Sequence, residues 1–459
     1  MSCLSALQTP AQTYPSQSIK LFARWDDTTI TPNSYWVHSR YNSVVGWADP
    51  LNGHEYAIIG SQLGTHFIDI MDPAHPVQVD YVAGRRGDCL WREYKTYNHY
   101  LYMVSDDAAP NSFQVADLSY LPDSVHVVYD SDSLFVRAHT VFIDGDKLYA
   151  GIVHTLSESY SMAVYSLADP ERPQFLRSLK QDYPFISIVH DMFVRNDTIY
   201  ASCGLQGLHI LKYNLNNSFT PLDSFATSPA NYNHSSYLDN DSHTLYFCEE
   251  VPTGRPVVAL NVSDPSNLEM INSFYSHQDA TPHNPFIRDN LLFVAYYQDG
   301  LQVFDISDPL YVKKVGFFDT YPFNTNGYSD PAYQGAWGAY PFLPSGTILV
   351  SDMQSGLFIL DADSLIRAGS PNNIPGITLN PNPAHENILI GFGSRPGIEF
   401  VKLEIMDVTG RILFSKNVQV SGMNEKETIS ISHLAKGIYL LRATSDTNVE
   451  FGTLKFIRQ

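Results

Sequence analysis

Four histidines recur at matching places in a repeated sequence unit, and their side chains could together bind a metal ion. They are His139, His190, His234 and His283, and the first two are 51 residues apart. Imidazole is a frequent ligand of Zn, Cu, Fe and Ni, so several imidazoles facing one axis could hold a divalent transition metal as a cofactor. General acid–base catalysis by the same rings is a further alternative.

The structural alternative is that histidine simply packs each unit and hydrogen-bonds a neighbouring backbone group. Trp91 and Trp337 hold the same position in two other units, and an indole ring is no metal ligand. We therefore interpret all six residues as binding candidates at a channel rim, with the four histidines as candidate metal ligands. Nearby Asp191, Asn233 and Asn284 could add oxygen ligands or orient the rings.

The unit that carries these residues predicts four antiparallel β-strands. Short sequences such as "DGD", "RND" and "RDN" separate its first two strands. Gly, Asn and Asp favour the positive φ that tight hairpins need. A third strand, an Asp-Pro turn and a fourth strand follow, as in "DGLQVFDISDPLYVKKVGFFDT" from Asp299 to Thr320.

Units of this kind, recurring every 44 to 54 residues, predict an all-β fold with a seven-bladed β-propeller. The seven units are anchored at Asn42, Trp91, His139, His190, His234, His283 and Trp337. The seventh stops after its third strand, "SGLFILDADSL", and "SIKLFARWDD" near the N-terminus resembles the missing fourth strand. We expect this N-terminal strand to close the blade, so that the ring has no open edge.

Acidic residues recur in the same units. Those before proline are interpreted as turn formers and not as calcium ligands, which would need several oxygens close in sequence. They are Asp72, Asp169, Asp264 and Asp308. Asp106 and Asp352 both follow a second strand, where each could cap a turn or serve as a rim carboxylate.

The residues after the repeats predict a second domain. Short alternating strands with glycine turns, as in "VKLEIMDVTGRILFSKNV" and "KETISISHLAKGIYLLRAT", predict a small Ig-like β-sandwich. We expect a disordered or remnant segment at 1–17, the propeller at 18–368, a linker at 369–376 and the second domain at 377–459.

Four segments of this second domain resemble a known family. "NPNPAHENILI", "LEIMDVTGRILF", "ISISHLAKGIYLLRA" and "KFIRQ" look like the type A C-terminal sorting domain of the type IX secretion system of Bacteroidota. The resemblance implies that the type IX machinery handles the chain and exports it across the outer membrane. It then implies a secreted protein or one attached to the outer cell surface. The N-terminus lacks the basic start and apolar run of a signal peptide, so we expect a removed signal or a misplaced start.

The repeats resemble a second family. "SVVGWADPLNGHEYAIIGSQLGTHFIDIMDP" and the recurrent "LQVFDISDP" are similar to the choice-of-anchor B and LVIVD-repeat proteins, over roughly Trp25 to Asp363. This resemblance implies an extracellular β-propeller and no particular reaction.

Charge and missing motifs narrow the function further. The 28 Lys and Arg residues against 48 Asp and Glu residues give a net charge of −20, which disfavours nucleic acid as a partner. The sequence has no GxSxG, HExxH or Walker A motif, and no apolar run near the roughly 20 residues of a transmembrane helix. We expect a non-enzymatic module that binds an extracellular protein or glycan. The alternative is a metal-assisted hydrolase or lyase that uses the histidines.

Overall fold

A computed structural model describes residues 14–322, 328, 333–369, 377–392, 400–407, 410–419, 426–445 and 450–459. The chain divides into two compact units, Met1–Asp363 and Ser364–Gln459. The regular secondary structure of the described residues is almost entirely β-strand, as the composition and repeats predict.

The strands of the first unit are short and follow the repeats closely. The first ten are β1 (Ser16–Gln17), β2 (Lys20–Trp25), β3 (Tyr41–Ala48), β4 (Glu55–Ser61), β5 (Gly64–Asp69), β6 (Val77–Ala83), β7 (Arg92–Tyr97), β8 (Tyr100–Ser105), β9 (Phe113–Asp117) and β10 (His126–Ser131). The next eight are β11 (Thr140–Asp144), β12 (Lys147–His154), β13 (Ser159–Ser166), β14 (Gln174–Ser178), β15 (Asp191–Arg195), β16 (Thr198–Ser202), β17 (Leu208–Tyr213) and β18 (Phe219–Phe225). A 3₁₀ turn, Leu179–Gln181, follows β14.

The rest of the unit continues the same pattern. Its strands are β19 (Asn233–Leu238), β20 (Thr244–Glu249), β21 (Val257–Asn261), β22 (Glu269–Phe274), β23 (Pro285–Arg288), β24 (Leu291–Ala295), β25 (Leu301–Asp305), β26 (Lys313–Phe318), β27 (Ala336–Tyr340), β28 (Thr347–Asp352) and β29 (Gly356–Asp361). A short helix, α1 (Asp363–Gly369), follows β29.

The described strands of this unit form seven antiparallel sheets in sequence order. Six contain four strands each, and the sheet of β23 to β26 gains β1 as a fifth strand. The sheet of β27 to β29 takes β2 as its fourth strand, in the register Lys20 opposite Asp361 and Trp25 opposite Leu357. This is the N-terminal closing strand that the sequence predicts.

The sheets succeed one another around a closed ring. The first strand of each of the first five sheets lies beside the first strand of the next, from β3 to β23. The ring continues as β24 lies beside β27, and β27 lies beside β3. All seven first strands therefore surround one central channel.

The hydrophobic core lies in layers between neighbouring sheets. One layer joins Tyr102 and Phe113 of the second sheet to Val141 and Leu148 of the third. Because the middle strands of each sheet are covered on both faces, they are almost wholly buried, as in β4, "EYAIIGS". The fourth strands lie outermost and are mostly exposed, as in β6.

Two details refine the sequence predictions for the first unit. Residues 1–13 lie outside the described part of the chain, but Ser16 and Gln17, expected to be disordered or a remnant, form β1 opposite Phe318 and Phe317. The Asp-Pro turns form as predicted, because each aspartate side chain accepts a hydrogen bond from the backbone N–H two residues on. The acceptors are Asp72, Asp169, Asp264 and Asp308.

The second unit contains two sheets around one apolar core. The strands are β30 (Ile377–Asn380), β31 (Asn387–Phe392), β32 (Phe400–Asp407), β33 (Ile412–Gln419), β34 (Lys426–Ser430), β35 (Gly437–Ser445) and β36 (Glu450–Arg458). β30, β31 and β34 form one sheet, and the order β33-β32-β35-β36 forms the other. Buried residues of both sheets, including Ile388, Ile390, Leu403 and Leu441, form the core between them.

Candidate functional site

Six aromatic side chains form a closed circle where the first strands begin, and we call this circle the rim ring. Its members are Trp91, His139, His190, His234, His283 and Trp337. The centroid distances around it are 6.4 Å (Trp91–His139), 4.1 Å (His139–His190), 4.3 Å (His190–His234), 4.4 Å (His234–His283), 4.4 Å (His283–Trp337) and 4.7 Å (Trp337–Trp91). The repeat thus brings together every residue that the sequence nominated as a rim candidate.

Asn42 is the anchor of the remaining unit and is buried near the same end of the channel. Its side-chain nitrogen is 3.4 Å from the carbonyl oxygen of Leu90, to which it donates a hydrogen bond. Asn42 therefore connects the first and second sheets beside the rim ring.

Three of the rim histidines hydrogen-bond the backbone of the next sheet. His190 Nδ1 lies 3.2 Å from the carbonyl oxygen of His234, and His234 Nδ1 lies 3.1 Å from the carbonyl oxygen of His283. His283 Nδ1 lies 2.5 Å from the carbonyl oxygen of Trp337. A carbonyl oxygen only accepts hydrogen bonds, so each Nδ1 carries the proton. In the neutral rings, Nε2 then has a free lone pair.

Burial keeps these three imidazoles neutral. It lowers the pKa of His190 and His234 well below the usual range, and the neighbouring rim histidines add to the effect. Burial also lowers the pKa of His283 to about 3. The alternative that each histidine hydrogen-bonds a neighbouring backbone group therefore holds for these three rings. The same hydrogen bond also leaves Nε2 free to act as a hydrogen-bond acceptor or metal ligand.

His139 has different chemistry from the other rim histidines. Its Nδ1 atom is 2.9 Å from Oδ2 of Asp106, so the bond joins it to a carboxylate. Burial opposes the charged imidazolium, but the hydrogen bond and charge of Asp106, with the charges of Glu93 and Asp191, outweigh it and raise the pKa of His139. The rim ring thus combines one histidine that favours the charged form with three neutral ones.

The two acidic residues that follow second strands have different roles. Asp106 is a rim carboxylate, because it accepts the hydrogen bond from His139. Asp352 caps a turn, because its Oδ1 accepts hydrogen bonds from the backbone N–H groups of Gln354 and Ser355. The sequence left both roles open for both residues.

Glu250 is a rim carboxylate that the sequence analysis missed. Its Oε2 lies 3.6 Å from Nε2 of His234, and its Oε1 accepts a 2.8 Å hydrogen bond from the Tyr297 hydroxyl. Burial raises the pKa of Glu250 to about 7. A signal existed, because "FCEE" ends the second strand of its unit where "VSDD", which contains Asp106, ends another.

Below the rim ring, the channel wall carries two carboxyl groups. Glu93 accepts a 2.8 Å hydrogen bond from Ser43 and lies 3.5 Å from Nε1 of Trp337. Asp191 accepts a 3.0 Å bond from Thr140, so it contacts a hydroxyl and not a rim imidazole. Burial raises the pKa of both carboxyl groups, and the charge of Lys95 partly offsets this.

Aromatic side chains surround the next level of the channel, three residues beyond the histidine anchors. A strand rises about 3.3 Å per residue, so this level lies about 10 Å from the rim ring. Its members are Phe142, Phe193, Tyr237 and Phe286, with centroid separations of 5.2 Å for the first pair and 4.7 Å for Phe193 and Tyr237. Phe342 also packs here, 6.1 Å from Tyr237.

The four rim histidines, Trp337 and the two carboxyl groups line a cavity of about 210 Å³ together with four aromatic side chains, Phe142, Tyr237, Phe286 and Phe342. Lys95, Thr140, Ser236 and Asn284 add polar groups to its wall. Asn233, also nominated from the sequence, is buried in β19. The wall therefore offers hydrogen-bond donors, hydrogen-bond acceptors and aromatic faces within one enclosed space.

The second unit matches a known family. Residues 378–457 match the family model described as "Secretion system C-terminal sorting domain". The chain carries a type IX secretion sorting domain, as the sequence motifs predict. Such a domain implies handling by the type IX machinery, secretion and attachment at the cell surface. Among the described residues, no helix is both long enough and apolar enough to span a bilayer.

No curated protein matches the chain, but solved structures are similar to it at low identity. The periplasmic gluconolactonase PpgL of Pseudomonas aeruginosa is 10% identical, with a TM-score of 0.48, 86% of this chain covered and 100% of that one. A proposed 6-phosphogluconolactonase from Bacteroides fragilis is 12% identical, with a TM-score of 0.45 and coverages of 86% and 100%. The extracellular domain of a proposed hybrid two-component system of Bacteroides thetaiotaomicron is 13% identical, with a TM-score of 0.49 and coverages of 82% and 46%. At these identities and scores, the similarity says nothing about the reaction or ligand of this chain.

Proposed function

We propose that this protein is a secreted, surface-displayed β-propeller that binds a sugar unit of an extracellular glycan in its central channel without changing it covalently. The seven sheets act as the blades, and residues 18–368 form the propeller. The second domain, 377–459, has an Ig-like sandwich form and follows a linker at 369–376. The LVIVD-like and choice-of-anchor B-like motifs of the repeats support the same extracellular assignment.

The observation that carries this proposal is the composition of the channel cavity. Carboxyl groups of Glu93 and Asp191 can accept hydrogen bonds from ligand hydroxyls, while Lys95 can donate to ligand oxygens. The aromatic faces at the other end supply apolar contact area. A ring that carries several hydroxyls has the alternating polar and apolar surface that such a wall complements.

The size and opening of the cavity fit a small unit. Pockets for drug-sized ligands measure about 300–1,000 Å³. The cavity of about 210 Å³ therefore suits a single sugar ring. Lys95, Phe142, Tyr237, Phe286 and Phe342 are partly exposed, which opens the cavity at its aromatic end. A terminal sugar could enter there while the rest of its glycan stays outside.

The test is saccharide binding by the full chain. Titration with a panel of monosaccharides and short oligosaccharides, followed by calorimetry, should find at least one that binds. Glu93→Gln and Asp191→Asn should each weaken binding about 10- to 100-fold, because each removes a buried charged acceptor worth about 1.5–3 kcal/mol. Asp223→Asn on the exposed strand β18 is the matched control and should bind like the native protein.

Two results would contradict the proposal. The first is saccharide binding that neither channel substitution weakens, which would put the site elsewhere. The second is cleavage of the bound saccharide, seen as new products by mass spectrometry, which would make the protein an enzyme.

Metal-assisted hydrolysis or elimination is the second candidate function. The observation that favours it is the meeting of His234, His283 and Glu250 at the rim, because a cation held there could activate water. The measurement is release of product from the same saccharide panel with and without added Zn²⁺, compared between the native protein and Glu250→Gln.

A further inference from the structure

Two rim histidines and the missed carboxylate form a compact group at the junction of the fifth and sixth sheets. In His234, His283 and Glu250, one ligand atom from each side chain lies within 4.8 Å of the others. All three residues are buried, with exposures of 4%, 2% and 7%. Within the described parts of the chain, no other group of three His, Cys, Asp or Glu residues meets the same condition.

Hydrogen bonds leave the nitrogen atoms of this group ready to bind a cation. The Nδ1 protons of His234 and His283 are engaged by the carbonyls of His283 and Trp337. Each ring therefore has its lone pair on Nε2, and the hydrogen bond from Nδ1 fixes the orientation of the ring. Metal-binding histidines are held in this way, with the second nitrogen donating to a carbonyl or carboxylate.

The carboxylate is held in a similar way by Tyr297. The tyrosine hydroxyl donates a 2.8 Å hydrogen bond to Oε1 of Glu250, which leaves Oε2 facing His234 Nε2 at 3.6 Å. Tyr297 has a φ of +39°, in a region that bulky residues seldom occupy. Unusual backbone of this kind persists where surrounding structure enforces it, often at functional sites.

One measured separation between ligand atoms is close to that around a tetrahedral ion. Zn²⁺ binds nitrogen and carboxylate oxygen at about 2.0–2.2 Å, so two tetrahedral ligand atoms stand about 3.3–3.5 Å apart. The observed 3.6 Å between His234 and Glu250 is close to this separation. The other ligand atoms lie within 4.8 Å of one another, so they need inward shifts of at most about 1.5 Å.

We propose that His234, His283 and Glu250 bind a divalent transition metal of the zinc class, with Tyr297 as a positioning residue. Two imidazoles and a carboxylate suit Zn²⁺, Fe²⁺ or Co²⁺ better than Ca²⁺ or Mg²⁺, which prefer oxygen ligands. Three protein ligands leave a fourth position open, as in catalytic zinc sites. This proposal narrows the ligand set expected from the sequence, because His139 and His190 lie outside the group.

The experiment measures metal binding by the full chain without a histidine tag. After removal of metal with a chelator, the protein is titrated with Zn²⁺ by calorimetry and with Co²⁺ by visible absorption. We expect one ion per chain and a tetrahedral Co²⁺ spectrum. Glu250→Gln should weaken Zn²⁺ binding more than about 100-fold, and Tyr297→Phe about tenfold, since outer hydrogen-bond partners contribute about 10–100-fold.

The matched control is His75→Gln, which changes an exposed histidine outside the rim ring and should bind Zn²⁺ like the native protein. The unfolding midpoints of the metal-free variants are compared with that of the metal-free native protein. A variant with an unchanged midpoint and weaker metal binding has lost the site and not the fold. The proposal is overturned if the native protein binds no stoichiometric ion, or if Glu250→Gln binds as tightly as the native chain. It is also overturned if His75→Gln loses binding as strongly as Glu250→Gln.

X-ray absorption of the Zn²⁺-loaded native protein tests the ligand set without any substitution. Two imidazoles and at least one oxygen at about 2.0–2.2 Å are expected. Four imidazoles, or none, would overturn the assignment. Metal binding is measured without sugar. The result therefore tests the metal site separately from the proposed binding of a sugar in the channel.

Discussion

At the scale of single residues, one position in the repeat supports two kinds of histidine. His190, His234 and His283 donate to backbone carbonyls and are neutral, whereas His139 donates to Asp106 and favours the charged form. The difference comes from the partner of Nδ1 and not from the imidazole itself. A carboxylate bonded to Nδ1 favours the charged ring, whereas a backbone carbonyl at a buried position leaves the ring neutral.

The His139–Asp106 pair predicts a pH-dependent stability. The pKa of His139 is raised in the folded protein, so the pair stabilises fully below the unfolded pKa of about 6.5, and that stabilisation is lost as pH rises through the folded pKa. Asp106→Asn should therefore lower the free energy of unfolding by about 1–3 kcal/mol at pH 5.5 and by much less at pH 9. Urea unfolding followed by intrinsic fluorescence at both pH values measures this difference.

The control is the same substitution in a His139→Asn background. There the effect of Asp106→Asn should no longer depend on pH, because the titrating partner is gone. An effect of equal size at pH 5.5 and pH 9 in the native background would show that His139 is not the charged partner of Asp106.

The sequence could predict the rim ring but not its chemistry. Recurrence places His139, His190, His234 and His283 at equivalent strand starts, and that is enough to expect their side chains on one channel. The protonation state of each imidazole depends on the group that its Nδ1 atom contacts. That group belongs to a neighbouring sheet, so no local sequence pattern identifies it. Glu250 was missed for the same reason, since its contact with His234 depends on the fold of the adjoining loop.

At the scale of elements, the hairpins between first and second strands follow local rules. The turn in "RND" places Asn196 at φ +51° and Asp197 at φ +58°, between the paired residues Arg195 and Thr198. Two positive φ values in a two-residue loop match the twist of the strands that they connect. Such turns could be predicted because their requirement lies in the residues themselves.

Substitution of the exposed Asn196 tests this local rule. Asn196→Val should lower the free energy of unfolding by about 1–2 kcal/mol, because a β-branched side chain clashes with the backbone at positive φ. Asn196→Gly is the matched control and should change it by less than about 0.5 kcal/mol, since glycine adopts this φ freely. The measurement is the shift in urea midpoint, and equal shifts for both variants would contradict a conformational cause.

Not every element could be predicted from pattern. The two-residue strand β1 contains no repeat motif, and it forms because its backbone meets the outer strand β26 of a sheet that already has four strands. Tyr14, just before β1, packs on two phenylalanine rings. Its ring centroid lies 5.7 Å from that of Phe318 and 5.1 Å from that of Phe358. Contacts of this kind come from the closed ring, so a local reading of the N-terminus could not reveal them.

At the scale of the whole molecule, closure depends on pairing the two ends of the first unit. β2 supplies the outermost strand of the sheet that contains β27 to β29, so the first and last parts of the unit share one sheet. Without β2, the buried strand β29, "GLFILD", would become an edge with unpaired backbone groups. The channel cavity and the rim ring depend on this ring remaining closed, because their residues come from most of the sheets around it.

Two truncations of the full chain compare the contributions of the N-terminal strands. Removal of residues 1–25 deletes β1 and β2, and we expect the free energy of unfolding to fall by several kcal/mol, since about five ladder positions lose hydrogen bonds worth about 0.5–1.5 kcal/mol each. Removal of residues 1–17 deletes β1 alone and should have a much smaller effect, because β1 pairs only two residues. Thermal unfolding and light scattering measure stability and the aggregation expected of an exposed edge. A peptide spanning Ser18 to Asp27, added in trans, should raise the unfolding midpoint of the chain that lacks residues 1–25. Equal stability of the two truncated chains would show that β2 does not hold the ring closed.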